Sequence, residues 1–287
     1  MEIIKPSVEL LDYTNPVDHV ARCARICYAS DKTTDNQAMY DRLRKSNHNS
    51  MFRHESIYYI IPYGEFRARF LEKYMNCPYV DIYFSTVEYV YYVVTNKHFI
   101  IDNPEFDNLN SYIVDVDTFK NTNVGKSMVR YTFKIITQIS TSRELNRVSP
   151  NNIAEQSTRY VNLSKKGGAI CQPHWMDDDT ARLYNEYGLD DCKENTMVTT
   201  EEFYYLSGCE FGFDTYNSLV EMDMKPEDAR GVLPLDTATV CVYTYSIREW
   251  KHIIDLRYYG KTGKPHPNAK IIVGMIKDKL NEIGVNI

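Results

Sequence analysis

The sequence predicts an α+β protein, and three observations carry that reading. β-Branched and aromatic residues crowd at period two in several short runs. Amphipathic stretches with readable helix starts lie between them. Twice, a strand pattern leads directly into a helix signal. In chain order, residues 17–28 and 36–44 read as two helices separated by the polar turn Ser30-Asp31-Lys32. SIYYIIP at 56–62 and the alternating stretch 79–94 read as strands, and residues 103–123 as loop-rich. Val129, Tyr131, Phe133 and Ile135 give another period-two strand, followed at once by Thr141-x-x-Glu144. That spacing recurs at Thr199-x-x-Glu202 and Ser246-x-x-Glu249, and each fits a capping box, in which the hydroxyl accepts from a first-turn amide and the carboxylate reaches back to the cap amide. The last box follows the strand pattern Thr239-Val240-Cys241-Val242-Tyr243 and opens a helix whose Trp250, Ile253 and Ile254 form one apolar stripe. Pro226 suits the first position of a short helix that Pro234 stops.

With 33 basic and 39 acidic side chains in 287 residues, 43% of them apolar, the chain is of ordinary globular type, which excludes collagen-like, mucin-like and wholly disordered readings. That length buries enough surface to fold without disulfides. The seven cysteines are odd in number and lack a C-x-x-C pair, and the first segment, MEIIKPSVELLD, has neither a basic nor an apolar region. Both features argue for a cytoplasmic chain with reduced thiols. Apolar runs stay well short of the ~18 residues a membrane span needs. The formal charge of −6 argues against nucleic acid as a bulk partner. Composition is even throughout, so residues 1–287 read as one domain with an elaboration at about 65–125.

The most unusual segment is ELNRVSPNNIAEQSTRY, residues 144–160, where Pro150-Asn151-Asn152 forbids a continuing helix. Arg147 and Arg159 can each give a phosphate two parallel hydrogen bonds, with Ser157 and nearby amides adding neutral donors. A surface loop with solvated charges accounts for this segment equally well. Arg230, in the 225–234 cluster KPEDARGVLP, is presented near a helix end, where a structural role is the commoner one. In SIREWKHIIDLR, residues 246–257, the apolar stripe reads as core, while Arg248 and His252 face elsewhere. His48 and His54 lack a third ligand at zinc spacing, so no metal is expected. Cys23 and Cys27, four apart on a helix, read as small buried hydrophobes, and no cysteine sits among the arginines as a nucleophile would. Without G-x-G-x-x-G or G-x-x-x-x-G-K-[ST], a standard dinucleotide-binding or P-loop domain is excluded.

Taken together and in order, IIKPSVELL at the start, ARICYAS at 24–30, HNSMFRHES at 48–56, AEQSTRYVN at 154–162, KPEDARGVLP at 225–234 and REWKHIIDLR at 248–257 resemble the flavin-dependent thymidylate synthases, the ThyX family. YYVVTNKHFI at 91–100 also resembles an insertion found in a longer branch of that family. The resemblance implies an α+β fold, a single ThyX-like domain with a central mixed or antiparallel sheet flanked by helices, assembled as a homotetramer whose active sites are shared between subunits. It implies FAD as cofactor, NADPH as hydride source, and conversion of dUMP to dTMP with methylenetetrahydrofolate. Reduced flavin would deliver hydride to the pyrimidine, so no enzyme cysteine need attack the ring.

By position, the resemblance implies dUMP contacts for Glu144, Arg147, Glu155, Ser157, Thr158, Arg159, Arg230 and Arg257, with Arg257 and Ser157 as catalytic residues. Guanidinium groups would clamp the 5′-phosphate, and Arg257 would stabilise negative charge on a uracil carbonyl oxygen. Flavin and folate contacts fall on His54, Ser56, Arg147, Ser246, Arg248 and His252; many family members carry asparagine at the last position and at Ser246. The family signature is Arg-His-Arg, seven residues, then serine. Here Arg147-Val148-Ser149 leads to Ser157 in register, so the first arginine and the serine are present while the histidine and second arginine are replaced. Those two groups help hold FAD in the family, and each charged hydrogen bond lost costs about 1.5–3 kcal/mol. Asn151, Lys165 and Lys166 are the nearby donors that can substitute. Two further readings keep the nucleotide site: a hydroxymethylase or modified-nucleotide methylase, and a non-catalytic nucleotide-binding protein on the same scaffold.

Overall fold

The computed structural model describes residues 1–13, 15–29 and 35–287, apart from the side chain of Lys166. The expected turn Ser30-Asp31-Lys32 lies outside the described residues, as does that side chain.

Strands β1 (Glu2–Ile4) and β2 (Ser7–Leu11) precede helix α1 (Pro16–Tyr28), which starts where Asn15 accepts from the Asp18 amide and proline occupies the first turn. α2 (Asn36–Lys45) leads through a 3-10 turn at Asn49–His54 into β3 (Ser56–Pro62). Then come α3 (Glu65–Glu72), β4 (Asp81–Ser85), β5 (Val90–Asn96), α4 (Lys97–Asp102), β6 (Ile113–Val114) and α5 (Val116–Lys120). β7 (Arg130–Gln138) runs into α6 (Ile139–Leu145), and β8 (Ile153–Glu155), α7 (Leu163–Lys166) and β9 (Ala169–Cys171) follow. α8 (Asp178–Tyr187), α9 (Leu189–Glu194), the long α10 (Thr200–Glu221) and α11 (Pro226–Ala229) lead to β10 (Ala238–Ser246), α12 (Ile247–Arg257) and α13 (Pro267–Glu282).

The α+β expectation holds, but the single central sheet does not. Two four-stranded antiparallel sheets form, β2-β7-β10-β8 and β4-β5-β3-β6, beside a parallel pair β1-β9. The physical reason is that β3 pairs with β5 across seven residues rather than joining β7. β3 and the strands from 81–114 therefore build a sheet of their own, with its core of Tyr59, Ile61, Val93, Phe99 and Phe106. The first sheet packs its β7 and β10 side chains, Phe133, Ile135, Tyr243 and Tyr245, against Trp250, Ile253 and Ile254 of α12 and Ile272 and Ile276 of α13. The apolar stripe read from the sequence is thus core.

Three local expectations are corrected. Thr141 and Glu144 do not form a capping box. α6 begins at Ile139, because the carbonyls of Thr237 and Leu235 already take the Ile139 and Ser140 amides at 3.0 Å, and Thr141 Oγ1 donates instead to Gln138 Oε1. The boxes at Thr199 and Ser246 both form. The stretch 103–123 is largely ordered: Pro104 opens a 3-10 helix to Tyr112, and Asp115 caps α5. Finally, the 144–160 segment is not one loop, since Ile153–Glu155 adds β8 to the edge of β10.

Candidate functional site

Two groups of the sequence-singled residues come together on either side of β8. The first lies where α6 and α12 end. Arg257 Nε donates to the Glu144 carbonyl at 2.8 Å and approaches its carboxylate at 3.4 Å, with the Arg257 side chain only 12% exposed. Burial and then the guanidinium of Arg147 lower the pKa of Arg257, against the pull of Glu144. Arg147 itself donates to the Asn146 carbonyl at 3.0 Å, at the electronegative end of α6. The Arg147 guanidinium thus adds positive charge beside the Arg257–Glu144 pair.

The second group is a turn that starts at Ser157. Its amide donates to the Cys27 carbonyl at the end of α1, and Ser157 Oγ accepts from the Arg159 amide, both at 3.2 Å. Arg230 Nη1 donates to Thr158 Oγ1 at 2.9 Å, and Arg159 turns Nε and Nη2 onto one Glu227 oxygen at 3.2 Å. The segments 154–162 and 225–234, far apart in sequence, therefore face each other and present two exposed guanidinium groups. Such an exposed ion pair is worth about 0–1 kcal/mol, so an anion of higher charge can displace it.

Glu155 lies between the groups. Its Oε1 accepts from Ser142 Oγ of α6 at 2.9 Å and from Thr239 Oγ1 of β10 at 3.1 Å, and its carbonyl takes the Cys27 thiol. It braces three elements rather than offering that oxygen outward.

The residues expected at flavin are distributed differently. His54 is fully buried, with Nδ1 on Thr244 Oγ1 at 2.8 Å. Its Nε2, like Asn152 Oδ1, is buried without a partner. Ser56 is buried too, its Oγ accepting from Arg130 at 3.3 Å. Ser246, Arg248 and His252 lie along the first turns of α12: Ser246 caps the helix, His252 is exposed, and Arg248 pairs with Asp81 at 2.7 Å. Ser246 and Arg248 line a cleft of roughly 400 Å³ with Asp81 and Tyr83 of β4, Asn123 and Ser127. Val148 turns inward and packs against the core around Trp250, while Ser149 is exposed.

Asp81, Glu227 and Arg130 contact Arg248, Arg159 and Ser56, and no spacing in the sequence marks them. Asp81 stands 167 residues from its partner, and Arg130, whose Nη2 donates to the Thr244 carbonyl at 2.9 Å, is the first residue of β7.

A buried polar chain runs His54–Thr244–Thr132–His19, with links of 2.8, 2.8 and 3.0 Å. Burial, then the neighbouring His19 and the Arg130 and Arg53 charges, lowers His54 from 6.5 to about 3; burial, against the Asp12 backbone and helped by Arg22 and Arg130, lowers His19 to about 4. Below about pH 6.5 the unfolded chain binds protons at these histidines that the folded chain refuses, so stability falls as pH drops toward 4, by a few kcal/mol in all. Urea midpoints taken between about pH 7 and pH 4.5 should decline steadily; a flat profile would contradict neutral buried histidines.

Among the described residues, no helix is long and apolar enough to cross a membrane. No curated protein matches the chain. Among solved structures, a UMP/dUMP methylase, PolB, from Streptomyces cacaoi bound with 5-Br dUMP is similar at 17% identity and a TM-score of 0.43, covering 98% of this chain and 93% of that one. Thymidylate Synthase X from Helicobacter pylori, solved with FAD and dUMP, is similar at 13% identity and a TM-score of 0.42, covering 98% and 95%. The family profile described as thymidylate synthase complementing protein matches residues 126–271, a span that takes in β7, the Arg147 and Arg159 groups, Arg230 and Arg257, and with that match over half its length the chain belongs to this family.

Proposed function

We propose that this chain is a flavin-dependent thymidylate synthase, a methyltransferase-type enzyme that reductively methylates dUMP to dTMP using methylenetetrahydrofolate and NADPH. The reading takes residues 1–287 as one catalytic domain with an insertion at about 65–125. The observation that carries it is the meeting of the Ser157–Arg159 turn with Arg230: two exposed guanidinium groups, a hydroxyl and turn amides on one surface, in a chain of this family. That donor set fits a 5′-phosphate. Arg257, desolvated and held by Glu144, fits a role at a uracil carbonyl, where its charge would stabilise developing negative charge. Glu155 orients the β8 end that carries Ser157.

For FAD, the cleft by α12 fits in chemistry: Arg248 is a cationic donor, Asn123, Ser127 and Ser246 are neutral donors, and Tyr83, Val124 and Met128 offer flat or apolar wall. When bound there, flavin would supply hydride for the reduction. His54 and Ser56, being enclosed, would act by bracing Thr244 and Arg130 rather than by touching it. For homotetrameric assembly, the support is three exposed apolar side chains on one side of α10, Tyr204, Phe211 and, just beyond, Met222, each at least 70% exposed.

Absorbance of the purified protein with added FAD and dUMP tests the reading. Flavin bands that stay with the protein after desalting are expected. A second reading, nucleotide binding with altered or no chemistry, is favoured by Val148 packing into the core in place of a cofactor-facing histidine. Protein that binds dUMP but retains no flavin would establish that alternative.

A further inference from the structure

The loop joining α6 to β8, residues 146–152, carries Arg147 at one end and is gripped at the other by a side chain from a distant part of the chain. Arg53 stands in the 3-10 turn before β3. Its Nη1 donates to the Asn151 carbonyl and its Nε to His98 Nδ1, both at 3.0 Å. His98, on α4, sets Nε2 3.4 Å from the Asp102 carboxylate. The backbone of Arg53 is held in turn, its carbonyl accepting from Arg130 at 3.3 Å. From the opposite side, Tyr245 donates its hydroxyl to Asn151 Oδ1 at 3.1 Å, and the Thr244 amide donates to the Asn152 carbonyl at 3.0 Å.

The geometry fixes the protonation pattern. Arginine is donor only, so His98 Nδ1 must be the bare nitrogen, and the ring proton lies on Nε2 facing Asp102. The series Asp102, His98, Arg53, Asn151 is therefore a directed set of hydrogen bonds leading from α4, inside the 65–125 segment, to the loop that bears Arg147. Arg53 makes the two contacts from two nitrogens held at a fixed angle in one planar fork, whereas lysine would have to make both from a single nitrogen on a flexible stem. We infer that Arg53, keyed by His98, is a positioning residue that sets the path of residues 146–152 and so the placement of Arg147. The functional half of this inference rests on the nucleotide-site reading above, while the structural half does not. The 65–125 segment thereby acquires a role, since its helix α4 braces the loop that carries Arg147.

The test is hydrogen exchange on the full chain. Arg53→Ala should speed exchange of the 146–152 amides about tenfold, in line with losing a charge-assisted hydrogen bond, while amides in the centres of β7 and β10 keep wild-type rates. His98→Ala should loosen the same loop, and His98→Gln, which restores an acceptor, should return it toward wild type; that contrast separates keying from general packing and stands even where Arg53→Ala does not fold. Wild-type loop exchange in Arg53→Ala and His98→Ala, equal loosening of β7 and β10, or no difference between His98→Ala and His98→Gln would overturn the inference. A dUMP titration run alongside should show affinity about tenfold weaker in Arg53→Ala. If the wild-type chain binds no dUMP while the loop loosens selectively, the nucleotide reading fails and the positioning role stands.

Discussion

Replacing Arg257 by alanine is expected to cut turnover of dUMP by about 10²–10³-fold while leaving the thermal midpoint almost unchanged. The size follows from what the side chain can do in its setting. A guanidinium that is 12% exposed keeps its charge away from screening water, and charge stabilisation in such a place is worth far more than at the surface. The small stability effect follows from the partner. Glu144 is 37% exposed, so water can solvate its carboxylate when Arg257 is removed, and no stranded buried charge results. Arg159→Ala, which removes an exposed donor of the proposed phosphate site, should instead weaken dUMP binding by about tenfold with a smaller change in turnover at saturation. Steady-state rates with a parallel melting curve check both, and wild-type turnover in both variants would sink the site assignment.

Trp250→Ala is expected to cost about 3–5 kcal/mol of folding stability, a third or more of what a typical domain possesses. The indole is 1% exposed, meets Phe133 and Tyr245 edge-on with ring centres 5.1 and 5.3 Å away, and donates its N–H to the Tyr131 carbonyl at 3.1 Å. Alanine there leaves a cavity between β7, β10 and α12 and removes the donor from that carbonyl. Urea unfolding of the two proteins measures the difference. A loss under about 1 kcal/mol would mean that the sheet and the last two helices do not depend on this contact.

What the sequence makes legible follows the range of the forces involved. The strand at Ser56–Pro62 and the caps at Thr199 and Ser246 are local: side-chain alternation or a three-residue spacing decides them, and each stands where the spacing puts it. Thr141 has the same spacing and fails because carbonyls nearly a hundred residues away reach the first-turn amides before its hydroxyl can. The division into two antiparallel sheets is hidden for the same reason, since nothing local tells β3 to choose β5 over β7. At the candidate site, the arginines are conspicuous by type and order. Their partners Glu227 and Asp81 are ordinary acidic residues until the chain is folded. His54, for which the resemblance implies a flavin or folate contact, is enclosed, with Thr244 Oγ1 on its Nδ1 and Thr132 one hydrogen bond further on.

The Arg159–Glu227 pair has a consequence for selectivity. A carboxylate from the chain itself already takes Nε and Nη2 of the Arg159 guanidinium, so an anion seeking those two donors competes with it. A ligand carrying one negative charge only exchanges like for like and gains little by the trade. One carrying two, as a phosphate monoester does near neutral pH, comes out ahead, and a molecule with none leaves Glu227 where it is. On the proposed nucleotide reading, the pair would act as a charge filter, favouring phosphorylated over unphosphorylated visitors before any feature of their bases is read.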